Sequence, residues 1–124
     1  MNMFKETEDD IQATCFEFVA MKYYRIKHLF FAIPNGGKRH IKTAVRMKKT
    51  GTKSGVPDSF FALPSGAWHV LFIEFKSKKG VLSDNQKIYK TSLSHVGYKV
   101  VVVKSVDEFI KEFVSYLNLS KEEV

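Results

Sequence analysis

The stretch Val70-Leu71-Phe72-Ile73-Glu74-Phe75-Lys76 decides the fold, because its run of apolar residues predicts a β-strand. Residues two apart on a strand point to the same face, so Glu74 and Lys76 are expected to project together. A hairpin partner that begins at Asp58 brings a second carboxylate beside them. Two carboxylates and an ammonium held by hydrophobic strands suit a hard divalent cation and an anionic substrate.

The chain on either side of this strand predicts a mixed sheet. Residues 58–63 and 68–76 predict the two strands of a β-hairpin. A helix predicted from Ser83 to Val96 then leads to an apolar strand at residues 98–103, whose four consecutive valines are typical of an interior strand buried on both faces. Because that helix crosses over between the two strands, we expect strands 68–76 and 98–103 to be parallel.

The remaining segments predict three helices and one more strand. Thr7 and the acids after it are typical of a helix start, and Ser105 forms a capping box with Glu108. The resulting order predicts a single α/β domain over residues 1–124, with a small mixed β-sheet flanked by helices. These further elements are a helix at 7–24, a strand at 28–33, a short helix at 38–50 and a last helix at 105–117.

Composition limits the function classes. The chain has 124 residues, 44% of them hydrophobic, which suits one compact domain with a real core. Its single cysteine, Cys15, excludes an internal disulfide framework and fits the apolar stripe of the first helix as a buried residue. No apolar run has the length of a membrane span, and the N-terminus does not resemble a signal peptide. We therefore expect a cytoplasmic protein without a membrane partner.

The distribution of charge indicates a polyanionic partner. The net charge is +7, and the stretch from Phe18 to Pro57 holds ten of the twenty basic residues and no acid. Such a block attracts nucleic acid, although a solvated, solubilising surface is an equally good interpretation of the block alone. The residues that we predict to bind nucleic acid are Lys38, Arg39, Lys42, Arg46, Lys48, Lys49 and Lys53.

Three other side chains each have two interpretations. Glu74 lies in an apolar strand, where it is either paired with Lys76 or part of a functional site, and the cost of burying its charge favours the site. Glu8 shares a helix face with Gln12, but an acid in the first turn also stabilises a helix by itself. Gln86 completes a capping box and also lies on the inward face of its helix.

Taken in order, these residues resemble the PD-(D/E)xK nuclease superfamily and, within it, the virus-type replication-repair nuclease (VRR-NUC) family. The resemblance runs from Glu8 to Glu108 and implies a restriction-endonuclease-like core. Its motifs are Glu8-x-x-Ile11-Gln12, Pro34-Asn35-Gly36-Gly37, Gly55-Val56-Pro57-Asp58, Ile73-Glu74-Phe75-Lys76, Gly80-Val81-Leu82-Ser83-x-x-Gln86, Gly97-Tyr98-x-Val100-Val101-Val102-Val103 and Ser105-Val106-Asp107-Glu108. The chain is similar to stand-alone bacterial and phage members, so we expect it in the cytoplasm of a bacterium or of a phage host.

The resemblance also implies roles for individual residues. The implied catalytic residues are Asp58, Glu74, Lys76 and Gln86. The implied ligands of Mg²⁺ or Mn²⁺ are Asp58 and Glu74, with Glu8 as an outer acidic contributor. The backbone carbonyl of Phe75 is a further candidate oxygen ligand, because it lies between the two charged residues of the strand.

The activity that the resemblance implies is metal-dependent hydrolysis of phosphodiester bonds in structured DNA. Stand-alone members resemble Holliday-junction resolvases, which act as homodimers, so we expect branched DNA and a second copy of the chain as partners. Nicking or flap cutting at the same site is an alternative. A non-catalytic nucleic-acid-binding domain is another, and the intact set of two acids and a lysine argues against it.

Overall fold

The computed structural model describes residues 6–34 and 41–122, and its centre is a four-stranded sheet. The strands are β1 (Phe30–Ala32), β2 (Ser59–Phe61), β3 (Leu71–Phe75) and β4 (Lys99–Val103), and they lie in that order across the sheet. β2 pairs antiparallel with β1 and β3, whereas β3 and β4 pair parallel. The predicted hairpin, parallel pair and mixed sheet are therefore confirmed.

The helices of the described residues begin close to their predicted starts. Thr7 caps the first helix in a reciprocal pair of hydrogen bonds with Asp10, and Ser105 accepts a hydrogen bond from the Glu108 N–H at the start of the last helix. The last helix is longer than predicted. The helices are α1 (Glu8–Lys22), α2 (Ile41–Lys49), α3 (Asp84–His95) and α4 (Val106–Glu122).

The first strand is shorter than the sequence predicts. Its expected first two residues belong to a 3₁₀ helix, Lys27–Leu29, in which the Leu29 N–H bonds back to the Ile26 carbonyl at 3.0 Å. β1 therefore begins at Phe30, whose side chain is buried in the core. A run of apolar residues specifies burial more firmly than it specifies an extended backbone, which explains the shorter strand.

One face of the sheet carries the hydrophobic core, on which α1 and α4 pack. Alternate residues of β3 point into it, namely Leu71, Ile73 and Phe75, each 0% exposed. The helices contribute buried side chains at helical spacing, and these are Ile11, Cys15 and Val19 from α1 with Phe109, Phe113 and Tyr116 from α4. Cys15 is buried as predicted, and its burial raises the pKa of its thiol to about 12, with a smaller effect from the charge of Glu6.

The position of β4 differs from the prediction. The valine strand lies at the edge of the sheet, and the central strand buried on both faces is β3. Only Val100 and Val103 of β4 are buried, with 9% and 0% of their surface exposed. Because α3 and α4 both contact β4, helices cover this edge strand, and its apolar composition serves packing on helices rather than a second neighbouring strand.

Across the described part of the chain, no helix combines the length and apolar character that crossing a membrane requires.

Candidate active site

The hairpin register brings the two predicted acids together. β2 and β3 pair Ser59 with Ile73, so the next position outward sets Asp58 opposite Glu74 on the face away from the core. Asp58 Oδ2 accepts a hydrogen bond of 2.8 Å from the Phe75 N–H, which fixes its carboxylate beside the end of β3. Glu74 is only 4% exposed.

The proline before Asp58 explains why the Phe75 backbone faces the site. One further step along the register sets Pro57 opposite Phe75, and a proline has no N–H to donate to the Phe75 carbonyl. The N–H and carbonyl of one strand residue point to the same side, so the Phe75 carbonyl faces the side on which Asp58 takes its N–H. This carbonyl therefore has the orientation of a candidate oxygen ligand.

An aromatic row desolvates the two carboxylates. Phe31, Phe60 and Phe72 occupy the neighbouring row of the same face, with ring centroids 5.1 Å and 4.9 Å apart between successive rings. Asp58 and Glu74 each lie two residues along the strand from one of these rings, on the same face. The apolar rings thus replace water on one side of the carboxylate pair.

Burial and mutual repulsion raise the pKa of both acids. Burial is the largest cause for Glu74, and the charge of Asp58 and a hydrogen bond with it add to this, so its pKa rises from 4.5 to about 8. Burial also raises the pKa of Asp58, against the hydrogen bond from Phe75. The pair therefore favours binding a proton near neutral pH. A bound divalent cation would replace this proton and would remove the repulsion between the two carboxylates.

Gln86 carries out both of the functions that its sequence position allowed. Its Oε1 accepts the Ser83 N–H at 2.8 Å, which closes the capping box of α3. Its Nε2 donates to Glu74 Oε1 at 2.9 Å. Because the cap holds the oxygen end of the amide, the nitrogen end is turned toward Glu74 and orients that carboxylate.

Lys76 and Glu8 act on the acids through their charges. Lys76 is partly buried, and its ammonium lowers the pKa of both Asp58 and Glu74. The backbone N–H of Lys76 donates to the Val103 carbonyl at 2.9 Å, which holds the end of β3 against β4. Glu8 is exposed at the start of α1, and its negative charge raises the pKa of the same two acids.

The donor set fits a divalent cation held by few protein ligands. Within residues 6–34 and 41–122, no three His, Cys, Asp or Glu side chains converge closely enough to hold a metal ion by themselves. Two carboxylates and one backbone carbonyl are hard oxygen donors of the kind that Mg²⁺ and Mn²⁺ take, with water or phosphate completing the shell. The residues that would hold the ion are therefore Asp58, Glu74 and Phe75.

Comparisons with known proteins identify the family of this domain. The VRR-NUC domain profile matches residues 5–107. The chain belongs to the VRR-NUC family. A solved structure described as a VRR_NUC domain protein aligns with a TM-score of 0.81 and 26% sequence identity, over 94% of this chain and 92% of that chain. No curated protein matches the chain. These matches confirm the resemblance and the predicted fold class. A VRR-NUC domain is a nuclease-type domain.

Four of the seven basic residues predicted to bind nucleic acid lie on α2 of this VRR-NUC domain. Lys42, Arg46, Lys48 and Lys49 are exposed on that helix, and Lys53 is exposed in the loop after it. Lys38 and Arg39 lie outside the described residues, as does the Asn35-Gly36-Gly37 motif. The exposed basic side chains give α2 the positive charge that phosphate binding needs, and their role in nucleic-acid binding stays a prediction.

Sequence reasoning did not single out Asn85, which joins the Asp58 loop to α3. Its side chain donates to Ser54 Oγ at 3.3 Å. Gly55 packs on its backbone so closely that an added Cβ would lie 2.6 Å from the Asn85 carbonyl carbon, and the φ of Gly55 is +94°. The loop that ends at Asp58 is thereby docked on the helix that presents Gln86. The glycine was visible in the sequence, but its partner was not.

Proposed function

We propose that the protein is a Mg²⁺- or Mn²⁺-dependent endonuclease that hydrolyses phosphodiester bonds in structured DNA, with a Holliday-junction-resolvase-like activity. The observation that carries the proposal is the pair of opposed carboxylates, the half-buried Asp58 and the buried Glu74, with the ammonium of Lys76 on the same strand face. A pair of acids with raised pKa values costs stability unless a cation or a proton neutralises it, so its presence favours a metal-binding function.

The chain's own residues divide the catalytic work between holding and positioning. A bound Mg²⁺ or Mn²⁺ supplies a coordinated water of lowered pKa and positive charge for the phosphate. Asp58 and Glu74 would hold it, and Gln86 keeps the Glu74 carboxylate in one orientation through the 2.9 Å hydrogen bond. Lys76 has the charge and the strand face needed to orient the attacking water or to contact the scissile phosphate.

The preference for branched DNA and a homodimer is a proposal based on symmetry. A four-way junction presents two equivalent strands, and a two-fold dimer presents two equivalent sites. A chain of 124 residues also has little surface with which to hold a junction alone. Analytical ultracentrifugation of the free protein is expected to show a dimer, and a monomer at all concentrations, with and without a junction, would contradict this part of the proposal.

The main experiment compares DNA shapes of one sequence. A four-way junction, a flap, a nicked duplex and a linear duplex are incubated with Mg²⁺, Mn²⁺ or EDTA. Cutting is expected only with metal and fastest on the junction, by paired symmetric incisions. Faster cutting of the flap or nicked duplex would replace the junction assignment and keep the nuclease. Metal-independent binding without cutting of any shape would indicate a binding domain instead.

Variants connect the activity with the site. Asp58→Ala, Glu74→Ala and Lys76→Ala are each expected to abolish cutting while circular dichroism shows a folded protein. Glu17→Ala and Lys90→Ala remove the same charges from exposed positions outside the site and serve as matched controls. Cutting retained by all three site variants would overturn the assignment of the site.

Metal binding has its own readout, the melting temperature. Since a ligand that binds only the folded state stabilises it by about 2.7 kcal/mol at 100 times its Kd, Mg²⁺ or Mn²⁺ is expected to raise the melting temperature of the wild type. Asp58→Ala is expected to lose most of this rise. An equal rise in both proteins would mean that the ion binds elsewhere.

A further inference from the structure

A second feature lies outside the candidate active site, at the end of the sheet where strands β3 and β4 finish. A cavity of about 670 Å³ opens where the two parallel strands end. Its walls come from the loop after β3, from the start of α4 after β4 and from the N-terminal end of α1. The lining residues are Glu6, Ile11, Ser77, Lys78, Lys79, Lys104, Ser105 and Glu108. We call this cavity the lysine groove.

The lysine groove is next to the candidate active site without sharing its residues. Ser77, in the groove wall, directly follows Lys76 of the site. α1 also joins the two regions, because Glu6 lines the groove while Glu8 acts by its charge on the two site carboxylates. A strand of nucleic acid whose scissile phosphate lies at Asp58 and Glu74 therefore has the groove beside its flanking phosphates.

The charges of the groove favour an anion. Lys78, Lys79 and Lys104 are exposed in its walls, and the Lys104 ammonium donates to the Lys78 carbonyl at 3.5 Å, which links the two loops. The two acids of the walls reduce this charge but do not cancel it. One of them, Glu108, lies in the first turn of α4 and accepts a hydrogen bond of 2.7 Å from the backbone N–H of Lys104.

The backbone of the groove adds to this preference. The lining residue Ser105 precedes the first turn of α4, a helix whose positive dipole end therefore lies at the groove wall. A single inorganic phosphate occupies only a small part of a cavity of about 670 Å³, so its size matches a chain of phosphates better than one small anion. The hydroxyl groups of Ser77 and Ser105 give further polar contacts of the kind that phosphate oxygens accept.

We infer that the lysine groove binds the phosphates next to the scissile one in the cut strand. This inference rests on the proposed nuclease function and adds to it a second phosphate-binding surface, separate from the basic side chains of α2. Contacts of this kind act equally on bound substrate and transition state, so they lower KM and leave kcat unchanged. They also position the strand without reading its bases.

The test removes two of the three charges in a chain that keeps its catalytic residues. The variant Lys79→Gln/Lys104→Gln is compared with Lys90→Gln/Lys111→Gln, which loses the same charge from exposed positions of α3 and α4 that are not among the residues lining the groove. The groove variant is expected to bind DNA roughly 10- to 30-fold more weakly near 0.15 M salt, with a salt slope reduced by about two. Its KM is expected to rise by a similar factor at constant kcat, while the control stays close to wild type.

Neutral methylphosphonate linkages, placed one at a time along the cut strand, locate the contact. One to three positions beside the cut are expected to slow the wild type and to have no further effect in the groove variant. Equal sensitivity of both proteins at every position, or an unchanged salt slope, would overturn the groove and leave the nuclease proposal intact. If the wild type cuts no DNA, the salt slope and the affinity still test the groove. Weakened binding of inorganic phosphate with unchanged DNA binding would show a small-anion site instead and refute the inference.

Discussion

One face of the sheet is apolar and packs against α1 and α4, whereas the other face carries Asp58 and Glu74 and packs against α3. Both faces use the same five residues of β3, because alternate side chains of a strand point to opposite sides. Packing on the core face fixes the backbone of β3. This rigid backbone then holds the two carboxylates in place on the other face. Stability and chemistry are thus separable by strand face, and each prediction below tests that separation.

The largest effect is expected on the core face. Phe113 is 0% exposed and its ring contacts those of Tyr23, Phe30, Phe61 and Phe109. Phe113→Ala is therefore expected to lower the free energy of unfolding by about 3–5 kcal/mol, as measured by urea titration. Phe60→Ala makes the same change on the other face at a half-buried position and should cost clearly less. Equal losses would show that the aromatic row belongs to the core.

The pH dependence of stability is the next test. The folded-state pKa of Glu74 is about 8, above its ordinary 4.5, so the folded protein binds this proton more tightly than the unfolded chain. The stabilisation from this bound proton is complete below about pH 4.5 and is lost as the pH rises toward about 8. In EDTA, the free energy of unfolding of the wild type should fall over this range more steeply than that of Glu74→Gln. Parallel curves for the two proteins would contradict the buried-acid assignment.

A smaller effect separates the two functions of Gln86. Gln86→Glu keeps the oxygen that accepts the Ser83 N–H but loses the N–H that donates to Glu74. We expect unchanged helix capping and a fall of about 10- to 100-fold in cleavage or metal affinity, the usual cost of losing such a supporting hydrogen bond.

Ser83→Ala is the reciprocal control for this pair. It removes the side-chain cap and should cost about 1 kcal/mol of stability with little change in the cleavage rate per folded molecule. Full activity in Gln86→Glu would mean that Glu74 is oriented by other contacts.

The smallest effect is expected from Gly51→Ala, which we compare with Gly55→Ala at a position of similar backbone conformation. Gly51 and Gly55 have φ values of +104° and +94°, but only at Gly55 does an added Cβ meet a neighbour, the backbone of Asn85. Gly51→Ala should cost about 1 kcal/mol from backbone strain alone and leave cleavage unchanged. Gly55→Ala should cost more and should also slow cleavage, because the loop to Asp58 must move off α3. The same loss of activity in both variants would show that the docking of this loop is unimportant.

The site was predictable as far as short-range patterns extend. Glu74 and Lys76 lie two apart in an apolar strand, and this spacing alone sets them on one face. The capping residues Thr7 and Ser83 were likewise readable, because a cap depends on residues within one turn. The acid of the second strand was predictable only through the hairpin, whose register the sequence suggests but does not fix.

Other features depended on contacts between distant segments. The valines of β4 predicted an interior strand, yet burial by two helices gives the same composition as burial between two strands. The partner of Gly55 could not be inferred, since Asn85 lies thirty residues further along the chain. The three lysines of the groove are scattered among a chain with twenty basic residues, so no local pattern sets them apart.

The sequence by itself determined which residues alternate on β3, where the helices begin, and that two acids and a lysine lie on apolar strands. These properties follow from the fixed geometry of the backbone, which acts over a few residues. Only the tertiary structure decided that Asp58 lies opposite Glu74, that Gln86 reaches from its cap to a carboxylate, and that lysines from two loops share one groove. Those neighbours are brought together by strand register and helix packing, which the whole buried core selects at once.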